Sequence, residues 1–505
     1  MSDNGELQKR LFHEILMARR RVYGACGPTP IVHLPLNLNA TVYLKREDLS
    51  VVNSFKWRGA YNRMAMLSAQ ERARGVVAAS AGNHAQGVAL AACQMGIRAS
   101  IYMPRSTPRM KQLAVKKHGG DHVEIILHGD TYDEAADLAQ TAAREQGLTF
   151  IHPYDDLATM GGQGTLADEV VMSGVGAFDV AYVQIGGGGL AAAVALWLRT
   201  YYPSIRVIGV EGVDQASMQA AMRAGSPVEL DYVDVFCDGT AVKKAGELTF
   251  RLCRDLLDDF ITVSNEEVCA AIQVLWESLR CVPEPSGAMG LAGLMKQADQ
   301  LRGQRVLCIL CGANMDFGQL AWVARHAGIG ARRRRYFRFE IGEKPGAMLD
   351  LIQTVLEGIN IIEFQYGKTH PERAWPVIGF EASPMELDLL DRRLQEHGIA
   401  HEDVTSQEDV EFRLINYEPR LFHLPFFIKF EFPERAGALR DFLQRIRNTA
   451  NICYFNYVYT GERVGRALMG FEFSSENLRS EFLQILRSTP HSWRELDPNV
   501  LRRIL

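Results

Sequence analysis

The last third of the chain carries an internal repeat with a spacing of 91 residues, and this repeat strongly restricts the possible folds. The segment Arg338 to Tyr366 aligns without a gap with the segment Lys429 to Tyr457, and eleven of the 29 aligned positions are identical. Each copy has the pattern of a strand, a tight turn at glycine, a helix and a second strand. Because a small sheet of this kind leaves one face without a partner, the repeat predicts two similar α+β modules that pack together.

The chain before the repeat follows a different pattern. From about residue 40 to residue 320, short β-rich runs alternate with amphipathic or alanine-rich helical segments. The run 75–80, for example, precedes a helical segment that begins at Gln86, and the run 178–185 leads into a glycine-rich turn. Alternation of this kind is typical of a parallel sheet wrapped by helices, so we predict an α/β fold for this part of the chain.

The length of 505 residues exceeds what one hydrophobic core can fill and suggests about three units. We predict an α/β domain over residues 1–325, a linker over residues 326–335, and the repeated modules over residues 336–415 and 416–505. The linker contains glycines followed by four consecutive arginines, 332–335. Since the net charge of the chain is −5, we interpret these arginines as a solvated linker face rather than as a phosphate or lipid site.

Charge and cysteine content argue against several classes of protein. The chain has 55 basic and 60 acidic residues, which gives no reason to expect nucleic acid or an anionic membrane as a partner. No apolar run approaches the roughly 18 residues of a spanning helix, and the first residues are acidic, unlike a signal peptide. Nine scattered cysteines fit a reducing compartment, so we expect a cytoplasmic protein. Cys308 and Cys311 match C-x-x-C, but in a strand these positions face opposite ways, which disfavours a redox or zinc pair.

Lys56 and two glycine-rich turns outline a candidate active site. Lys56 lies in the segment Ser54 to Ala60, and the two turns are Ser80 to Gly87 and Gly186 to Gly189. A free lysine amine has a pKa of about 10.4 and is almost fully protonated at neutral pH, so a lysine that reacts covalently needs an electron-poor partner or a dry pocket. The aldehyde of pyridoxal phosphate is such a partner, and the combination therefore favours a pyridoxal-phosphate site.

Both turns are suited to anions. The turn 186–189 lies between a predicted strand and a predicted helix, so its N–H groups and the positive end of the helix can hold a phosphate. The sequence there lacks the G-K-[ST] and G-x-G-x-x-G patterns of nucleoside triphosphate and dinucleotide sites. The turn Ser80 to Asn83 has the same layout and can hold a second anion, such as a substrate carboxylate. His84 is left open between a structural hydrogen bond and direct chemistry.

Six segments, in combination and in order, resemble the tryptophan-synthase-β type of pyridoxal-phosphate enzymes, and more closely the biosynthetic threonine deaminases. They are Ser54 to Ala60, Ser80 to Gly87, Gly186 to Gly189, Asp238 to Val242, Pro283 to Ala288 and Cys311 to Asn314. The resemblance covers nearly the whole chain, because these enzymes also carry a paired ACT-like regulatory tail. It implies a two-lobed catalytic domain with parallel twisted sheets and a small lobe over about residues 53–155, followed by two ACT-like modules.

The resemblance also implies roles for individual residues. Lys56 would form the imine with the cofactor and later move the Cα proton of the substrate. The other implied contacts are Asn83 with the cofactor ring oxygen, Gly186, Gly187, Gly188 and Gly189 with its phosphate, Cys311 with its pyridine nitrogen, and Ser80, Ala81, Gly82 and Asn83 with the substrate carboxylate. Cys311 stands where the family often has serine, and neither side chain carries a charge that would keep the pyridine protonated. The ring is then a moderate electron sink, which suits elimination better than racemisation or transamination.

Three further positions bear on alternative readings of the site. Serine racemases, which the sequence also resembles, have a serine acting as acid or base where this chain has Ala81, so we do not expect racemisation. Some relatives bind a cation through a glutamate that matches Glu211 and a carboxylate at the place of Ser217, so we predict no metal site. Glu284 is left open between a neighbour of the cofactor ring and a purely structural turn.

The resemblance therefore implies a pyridoxal-phosphate-dependent L-threonine ammonia-lyase that forms 2-oxobutanoate and ammonia, the first step of isoleucine biosynthesis. L-Serine is a second expected substrate, and the resemblance implies a homotetramer. It also implies isoleucine as inhibitor and valine as its antagonist, bound next to Tyr366 and Tyr457 at matching places in the two copies. Two alternatives stay open: a degradative serine/threonine dehydratase of broad specificity, and a catalytically lapsed amino-acid-sensing protein.

Overall fold

The computed structural model describes residues 3–355, 359–433, 437–460, 462, 464–489 and 491–505. The chain divides into two compact units, Met1–Gly330 and Ala331–Leu505. Residues 434–436, which belong to the second copy of the repeat, lie outside the described residues. No helix in the described ranges is long and apolar enough to cross a bilayer.

The first unit alternates strands and helices. Its helices are α1 Asp3–Ala25, α2 Lys56–Ala65, α3 Ala69–Arg74, α4 Asn83–Met95, α5 Arg109–Gly119, α6 Tyr132–Gln146, α7 Leu157–Met172, α8 Gly189–Tyr201, α9 Ser217–Ala224, α10 Glu247–Leu256, α11 Asn265–Leu279, α12 Pro285–Lys296 and α13 Gln319–Gly330. Its strands are β1 Ile31–Leu34, β2 Thr41–Arg46, β3 Val76–Ala79, β4 Ala99–Met103, β5 Val123–Leu127, β6 Thr149–Phe150, β7 Val180–Gln184, β8 Arg206–Gly212, β9 Asp259–Val263 and β10 Arg305–Leu310. Capping boxes at Ser68, Thr131 and Ser264 fix the starts of α3, α6 and α11.

Two sheets organise this unit. The six-stranded sheet has the order β1-β2-β10-β7-β8-β9, and the four-stranded sheet has the order β5-β4-β3-β6. All neighbouring strands run parallel except β1 and β2. Strands β3 and β7 are buried along their whole length, as strands of a parallel sheet are when helices cover both faces. The predicted α/β fold with parallel sheets is confirmed.

Four charged side chains form a buried cluster, here called the charge cluster, that joins β2, the turn after it, α2 and α7. Its members are Lys45, Glu47, Arg58 and Glu169, and none is more than 7% exposed. Arg58 donates two hydrogen bonds to the Glu47 carboxylate, at 2.8 and 2.9 Å, and two to the Glu169 carboxylate, at 2.5 and 3.0 Å. Because α2 begins without a side-chain cap, Arg58 anchors the first turn of this helix, which also carries Lys56.

The second unit is built from the repeat. Its helices are α14 Ala347–Val355, α15 Pro384–Glu396, α16 Glu408–Glu411, α17 Ala438–Ile446, α18 Glu476–Ser488 and α19 Pro498–Ile504. Its strands are β11 Arg334–Phe339, β12 Ile341–Gly342, β13 Asn360–Gly367, β14 Arg373–Ala374, β15 Val377–Glu381, β16 His401–Asp403, β17 Phe426–Pro433, β18 Asn451–Val458, β19 Val464–Glu472 and β20 Trp493–Glu495. Eight of these strands form one antiparallel sheet in the order β16-β11-β15-β13-β18-β19-β17-β20.

The two copies of the repeat meet at the centre of this sheet, where β13 pairs with its equivalent, β18. Phe364 lies opposite Tyr457, and Tyr366 lies opposite Phe455. These two pairs exchange under the repeat, so the register places a local two-fold axis between the strands. The rings of Phe364 and Phe455 stack with their centroids 4.4 Å apart in the core of the unit. The predicted pair of packed α+β modules is confirmed.

The segment between the units differs from the predicted linker. Helix α13 continues to Gly330, and β11 begins at Arg334. A Cβ atom at Gly330 would lie 1.8 Å from the carbonyl oxygen of Glu266, so this glycine permits close packing of α13 on α11. Arg335 lies in β11 and pairs with Asp403 at 2.7 Å, so it is part of the sheet rather than a solvated linker face.

Candidate active site and C-terminal groove

Lys56 is the first residue of α2 and is partly buried. The loop before it is fixed by the backbone, because the Phe55 N–H donates to the Cys311 carbonyl at 3.1 Å. The Nζ atom of Lys56 donates to the Pro153 carbonyl at 3.2 Å. Burial lowers the pKa of Lys56 to about 8, although Cys311 and Glu284 oppose this effect. With this pKa about one amine in ten is neutral at pH 7, against fewer than about one in a thousand for a free lysine, so the amine is available for covalent chemistry.

The glycine turn from Gly186 to Gly189 connects β7 to α8. Gly188 has φ +91°, in the left-handed region that favours glycine. A Cβ atom at Gly187 would lie 2.2 Å from the ring of Tyr154, so the turn packs directly against this ring. The first bond within α8 runs from the Ala192 N–H to the Gly188 carbonyl at 2.9 Å, and the N–H groups before it have no partner within the helix. This arrangement fits a phosphate group.

The turn from Ser80 to Asn83 lies between β3 and α4, and all four of its residues are half-buried. Asn83 begins α4, and its Nδ2 donates to Glu284 Oε1 at 2.7 Å. Its Oδ1 accepts from Asn314 Nδ2 at 2.6 Å. The structure thereby brings this turn together with Glu284 and with the segment that follows Cys311.

Cys311 lies directly after β10 and is buried. Its Sγ donates to the Ser286 carbonyl at 3.6 Å. Burial raises the pKa of the Cys311 thiol well above its usual value, and Glu284 raises it further, so the thiol is neutral. Cys308 belongs to the hydrophobic cluster on the other face of the sheet, as strand alternation predicts.

His84 was left open by the sequence, and the structure favours the structural alternative. Its Nε2 bonds with the Ile151 carbonyl at 2.8 Å, and the side chain is 3% exposed. Burial lowers the pKa of His84 to about 3, and Lys56 lowers it further, so the ring is neutral at physiological pH. A histidine held in this state stabilises the start of α4 and is a poor proton donor.

Glu211, the candidate cation ligand, caps a helix. Its Oε1 accepts from the Met218 N–H at 2.8 Å, and its Oε2 accepts from the Gln219 N–H at 2.9 Å. Burial raises the pKa of Glu211 to about 7, against the effect of these two bonds. Among the residues that the structure describes, no three His, Cys, Asp or Glu side chains are arranged to hold a metal ion.

Sequence reasoning missed three neighbours of the site. Pro153 and Tyr154 follow β6, and Asn314 follows β10, but none of them was assigned a contact. The only local signal is a polar segment after a buried strand, which is where α/β folds place their ligands.

The second unit contains a groove that is formed by both copies of the repeat. Its volume is about 400 Å³, including the space at its opening to solvent. Its polar lining includes Glu343, Lys344, Tyr366, Arg447 and Asn451, and its apolar lining includes Leu349, Ile446 and Ile452. The Tyr366 hydroxyl donates to the Glu343 carboxylate. Asn451 Nδ2 donates to the other Glu343 oxygen at 2.7 Å.

Tyr457, the repeat equivalent of Tyr366, is placed differently. It is not among the residues that line the described groove. It is 2% exposed, and its ring centroid lies 5.2 Å from that of Phe432. Glu434, which the repeat aligns with Glu343, lies outside the described residues.

Comparisons with known proteins match both units of the chain. Residues 22–312 match the family model described as pyridoxal-phosphate dependent enzyme, and residues 325–414 and 423–504 match the C-terminal regulatory domain of threonine dehydratase. The L-threonine dehydratase biosynthetic IlvA of Haemophilus influenzae is 40% identical over 492 residues, covering 94% of this chain and 93% of that protein. The protein of the same name from Escherichia coli is 39% identical over 464 residues, covering 90% and 89%.

Two solved structures resemble about two thirds of the chain. The processed form of threonine deaminase isoform 2 from Solanum lycopersicum superposes with a TM-score of 0.59 and 38% identity, covering 65% of this chain and 95% of that one. Maize serine racemase superposes with a TM-score of 0.58 and 32% identity, covering 63% and 97%. Both units and their order are thus accounted for, and the chain belongs to the family of biosynthetic threonine dehydratases, pyridoxal-phosphate-dependent enzymes with a C-terminal regulatory domain.

Proposed function

We propose that this chain is a pyridoxal-phosphate-dependent L-threonine dehydratase that releases 2-oxobutanoate and ammonia and is regulated by an amino acid bound to its C-terminal unit. The observation that carries the proposal is the partly buried Lys56 at the start of α2, in a chain that matches biosynthetic threonine dehydratases over almost its whole length. The direct test is ketoacid release from L-threonine and from L-serine by the purified protein. Absence of both ketoacid and bound cofactor would refute the proposal.

The residues present fit pyridoxal phosphate. Lys56 would hold its aldehyde carbon, the N–H groups at the start of α8 its phosphate, and the Asn83 amide its ring oxygen. Cys311 would face the pyridine nitrogen with a neutral thiol. When bound, the cofactor supplies an electron sink for the electrons of the Cα–H bond.

The chain itself moves the proton. Lys56 Nζ would accept the Cα proton of threonine, and a pKa of about 8 lets it accept and return a proton near neutral pH. The N–H groups of the turn from Ser80 to Asn83 would hold the substrate carboxylate in place. Ala81 in that turn has neither an acidic nor a basic group, so no second side chain there would reprotonate Cα from the opposite side. This favours loss of the β-hydroxyl over racemisation.

Replacing Cys311 by aspartate is expected to slow threonine elimination by about tenfold or more, because an ionised carboxylate would stabilise a protonated pyridine and divert the reaction. Initial rates of 2-oxobutanoate release and chiral analysis of the remaining threonine measure both effects. Cys311→Ser is the matched control, since a hydroxyl is also neutral, and it should eliminate threonine at nearly the parent rate. A folded aspartate variant as fast as the parent would contradict the electronic argument.

The proposed effector is isoleucine, bound in the groove of the second unit, with valine as its antagonist. The Glu343 carboxylate can accept a hydrogen bond from the α-ammonium group of isoleucine. The N–H groups at the start of α14 can donate hydrogen bonds to the isoleucine carboxylate. Leu349, Ile446 and Ile452 provide an apolar wall for a branched side chain. We also propose a second site at the repeat-related place near Tyr457.

Glu343→Gln is expected to raise the isoleucine concentration for half-inhibition by about tenfold or more, since a charge-assisted hydrogen bond is replaced by a neutral one. Tyr366→Phe and Tyr457→Phe, which remove only hydroxyl groups, should raise the isoleucine concentration for half-inhibition by less. Uninhibited rates should not change. Glu476→Gln serves as the control, because this glutamate of the same unit has a side chain 66% exposed.

Isoleucine titrations of the full-length protein, with and without valine, decide between the biosynthetic and the degradative alternatives. A parent enzyme that ignores isoleucine up to roughly millimolar concentration, which is weak binding, would favour a degradative dehydratase. We also propose that the protein is a homotetramer, which light scattering coupled to size-exclusion chromatography can test.

A further inference from the structure

Asn83, Glu284 and Asn314 of the first unit form a closed ring of hydrogen bonds next to the candidate active site, and the backbone N–H of Asn314 supplies one of its three bonds. Asn83 Nδ2 donates to Glu284 Oε1 at 2.7 Å, the Asn314 N–H donates to Glu284 Oε2 at 3.0 Å, and Asn314 Nδ2 donates to Asn83 Oδ1 at 2.6 Å. Asn83 begins the helix after β3 of the four-stranded sheet, whereas Asn314 follows β10 of the six-stranded sheet. The ring therefore joins the parts of the unit that belong to different sheets.

This ring of hydrogen bonds requires a carboxylate as one of its members. An ionised carboxylate accepts hydrogen bonds at both oxygens, and Glu284 uses one oxygen for each asparagine. Asn83 must then turn its NH2 group towards Glu284 and its Oδ1 towards Asn314. One hydrogen of that NH2 group is used, and the direction of the second is thereby fixed.

The structure gives the Glu284 carboxylate little freedom. The side chain is 3% exposed. A Cβ atom at Gly312 would lie 2.6 Å from Glu284 Oε1, and one at Gly239 would lie 3.2 Å from it. Both glycines thus leave just enough space for the carboxylate.

We propose that Glu284 is a positioning residue for the cofactor: with Asn314, it orients Asn83 so that the second hydrogen of the Asn83 amide is presented to the ring oxygen of pyridoxal phosphate. The inference rests on the proposed function, because that function supplies the cofactor. It gives Glu284 a role that the sequence left open between a ring neighbour and a structural turn.

The hydrogen bonds among Asn83, Glu284 and Asn314 should also respond to pH. Burial raises the pKa of Glu284 to about 7 and Asp238 raises it further, against the effects of Asn314, Asn83 and Lys111. The charged or titratable groups that face it are Asp238, Lys111, Lys56, Cys237 and Cys311. A protonated Glu284 carries a hydrogen on one oxygen, which then no longer serves as a pure acceptor. Positioning is complete well above pH 7 and is lost as the pH falls through about 7.

The test compares two cofactors on the apoenzyme. Pyridoxal phosphate and 3-deoxypyridoxal phosphate, which lacks the ring oxygen, are titrated into the parent and into Glu284→Gln, and binding is followed by absorbance. A glutamine offers one acceptor and one donor, so it cannot complete the ring. We expect the variant to bind pyridoxal phosphate about tenfold more weakly or worse, and to bind the deoxy analogue as the parent does.

The pH dependence provides a second readout that a merely structural role would not change. In the parent, the preference for pyridoxal phosphate over the deoxy analogue should fall as the pH is lowered through about 7, and in Glu284→Gln this preference should not change with pH. Asp238→Asn removes a neighbour that raises the pKa of Glu284 and should move the inflection to lower pH. If the glutamine variant does not fold, Asn314→Ala replaces it, because it removes the donor to Asn83 Oδ1 and should show the same selective loss for pyridoxal phosphate.

Equal loss of affinity for both cofactors, or no loss for either, would overturn the inference. The proposed function fails by a different result, namely a parent protein that binds no pyridoxal phosphate or releases no ketoacid. A parent that does both while the variant shows no selective loss leaves the function intact and refutes only the role of Glu284.

Discussion

Lys56→Ala is expected to lower the rate of ketoacid release from threonine by at least about a thousandfold, because it removes both the amine that holds the cofactor and the base that takes the Cα proton. The fold should survive, since among the residues that the structure describes the Lys56 side chain makes one hydrogen bond, to the Pro153 carbonyl. The α8 N-terminus is untouched, so a phosphate can still bind. Lys56→Arg should fail as well, because a guanidinium group stays protonated and cannot act as a base.

Ketoacid production and the yellow colour of the bound cofactor measure the effect on activity, and circular dichroism reports on the fold. Lys243→Ala is the matched control, because this lysine of the same unit has a side chain 45% exposed. It should retain the parent rate. A folded Lys56→Ala protein with activity within about tenfold of the parent would refute the assignment of Lys56, since loss of a general base alone typically reduces rates by about a hundredfold or more.

The repeat shows why part of the fold was predictable. Aligned identities fix which residues of the two copies are equivalent, and in a sheet with a local two-fold axis equivalent strands must pair antiparallel. Phe364 and Phe455 meet at that axis for this reason. Gly330, in contrast, falls within the predicted linker, because sequence cannot distinguish a glycine of a linker from one required by a close helix contact.

The candidate site was predictable only in its local parts. The segments around Lys56, Asn83 and the glycine turn carry recognisable chemistry in consecutive residues. The contact between Asn83 and Glu284 spans 201 positions, and only the parallel strand topology brings them together. Tyr366 and Tyr457 are equivalent in sequence and almost equally buried, but their neighbours differ from one copy to the other, and the alignment contains no information on this difference.

The charge cluster gives the second large effect. Arg58→Met is expected to lower the free energy of unfolding by about 3 to 5 kcal/mol, the usual result of removing one partner from a buried ion pair. The variant would leave two buried carboxylates, Glu47 and Glu169, with Lys45 as the one remaining cation of the cluster. Arg254→Met is the control, because that side chain is 48% exposed and its ion pair should contribute less than about 1 kcal/mol.

The effect should depend on pH. Burial raises the pKa of Glu47, but Arg58 and Lys45 outweigh burial and hold it below its ordinary value near 4.5. This carboxylate therefore stabilises the parent above that value, and the contribution is lost as the pH falls through the lowered folded-state pKa. Without Arg58, burial should dominate and raise the pKa of Glu47. Acid would then protonate this carboxylate in the variant and remove its buried charge. The stability difference between parent and variant should be largest at neutral pH and should narrow in acid.

Combining Arg58→Met with Glu169→Gln separates charge from packing. The double variant keeps one cation, Lys45, and one anion, Glu47, so the cluster is again neutral. If uncompensated charge causes the loss, the double variant should be more stable at neutral pH than Arg58→Met alone, and its stability should depend less on pH. Thermal unfolding of the parent, both single variants and the double variant measures this. A double variant destabilised by the sum of the two single changes would show that the cluster acts through packing and individual hydrogen bonds, because independent contributions add.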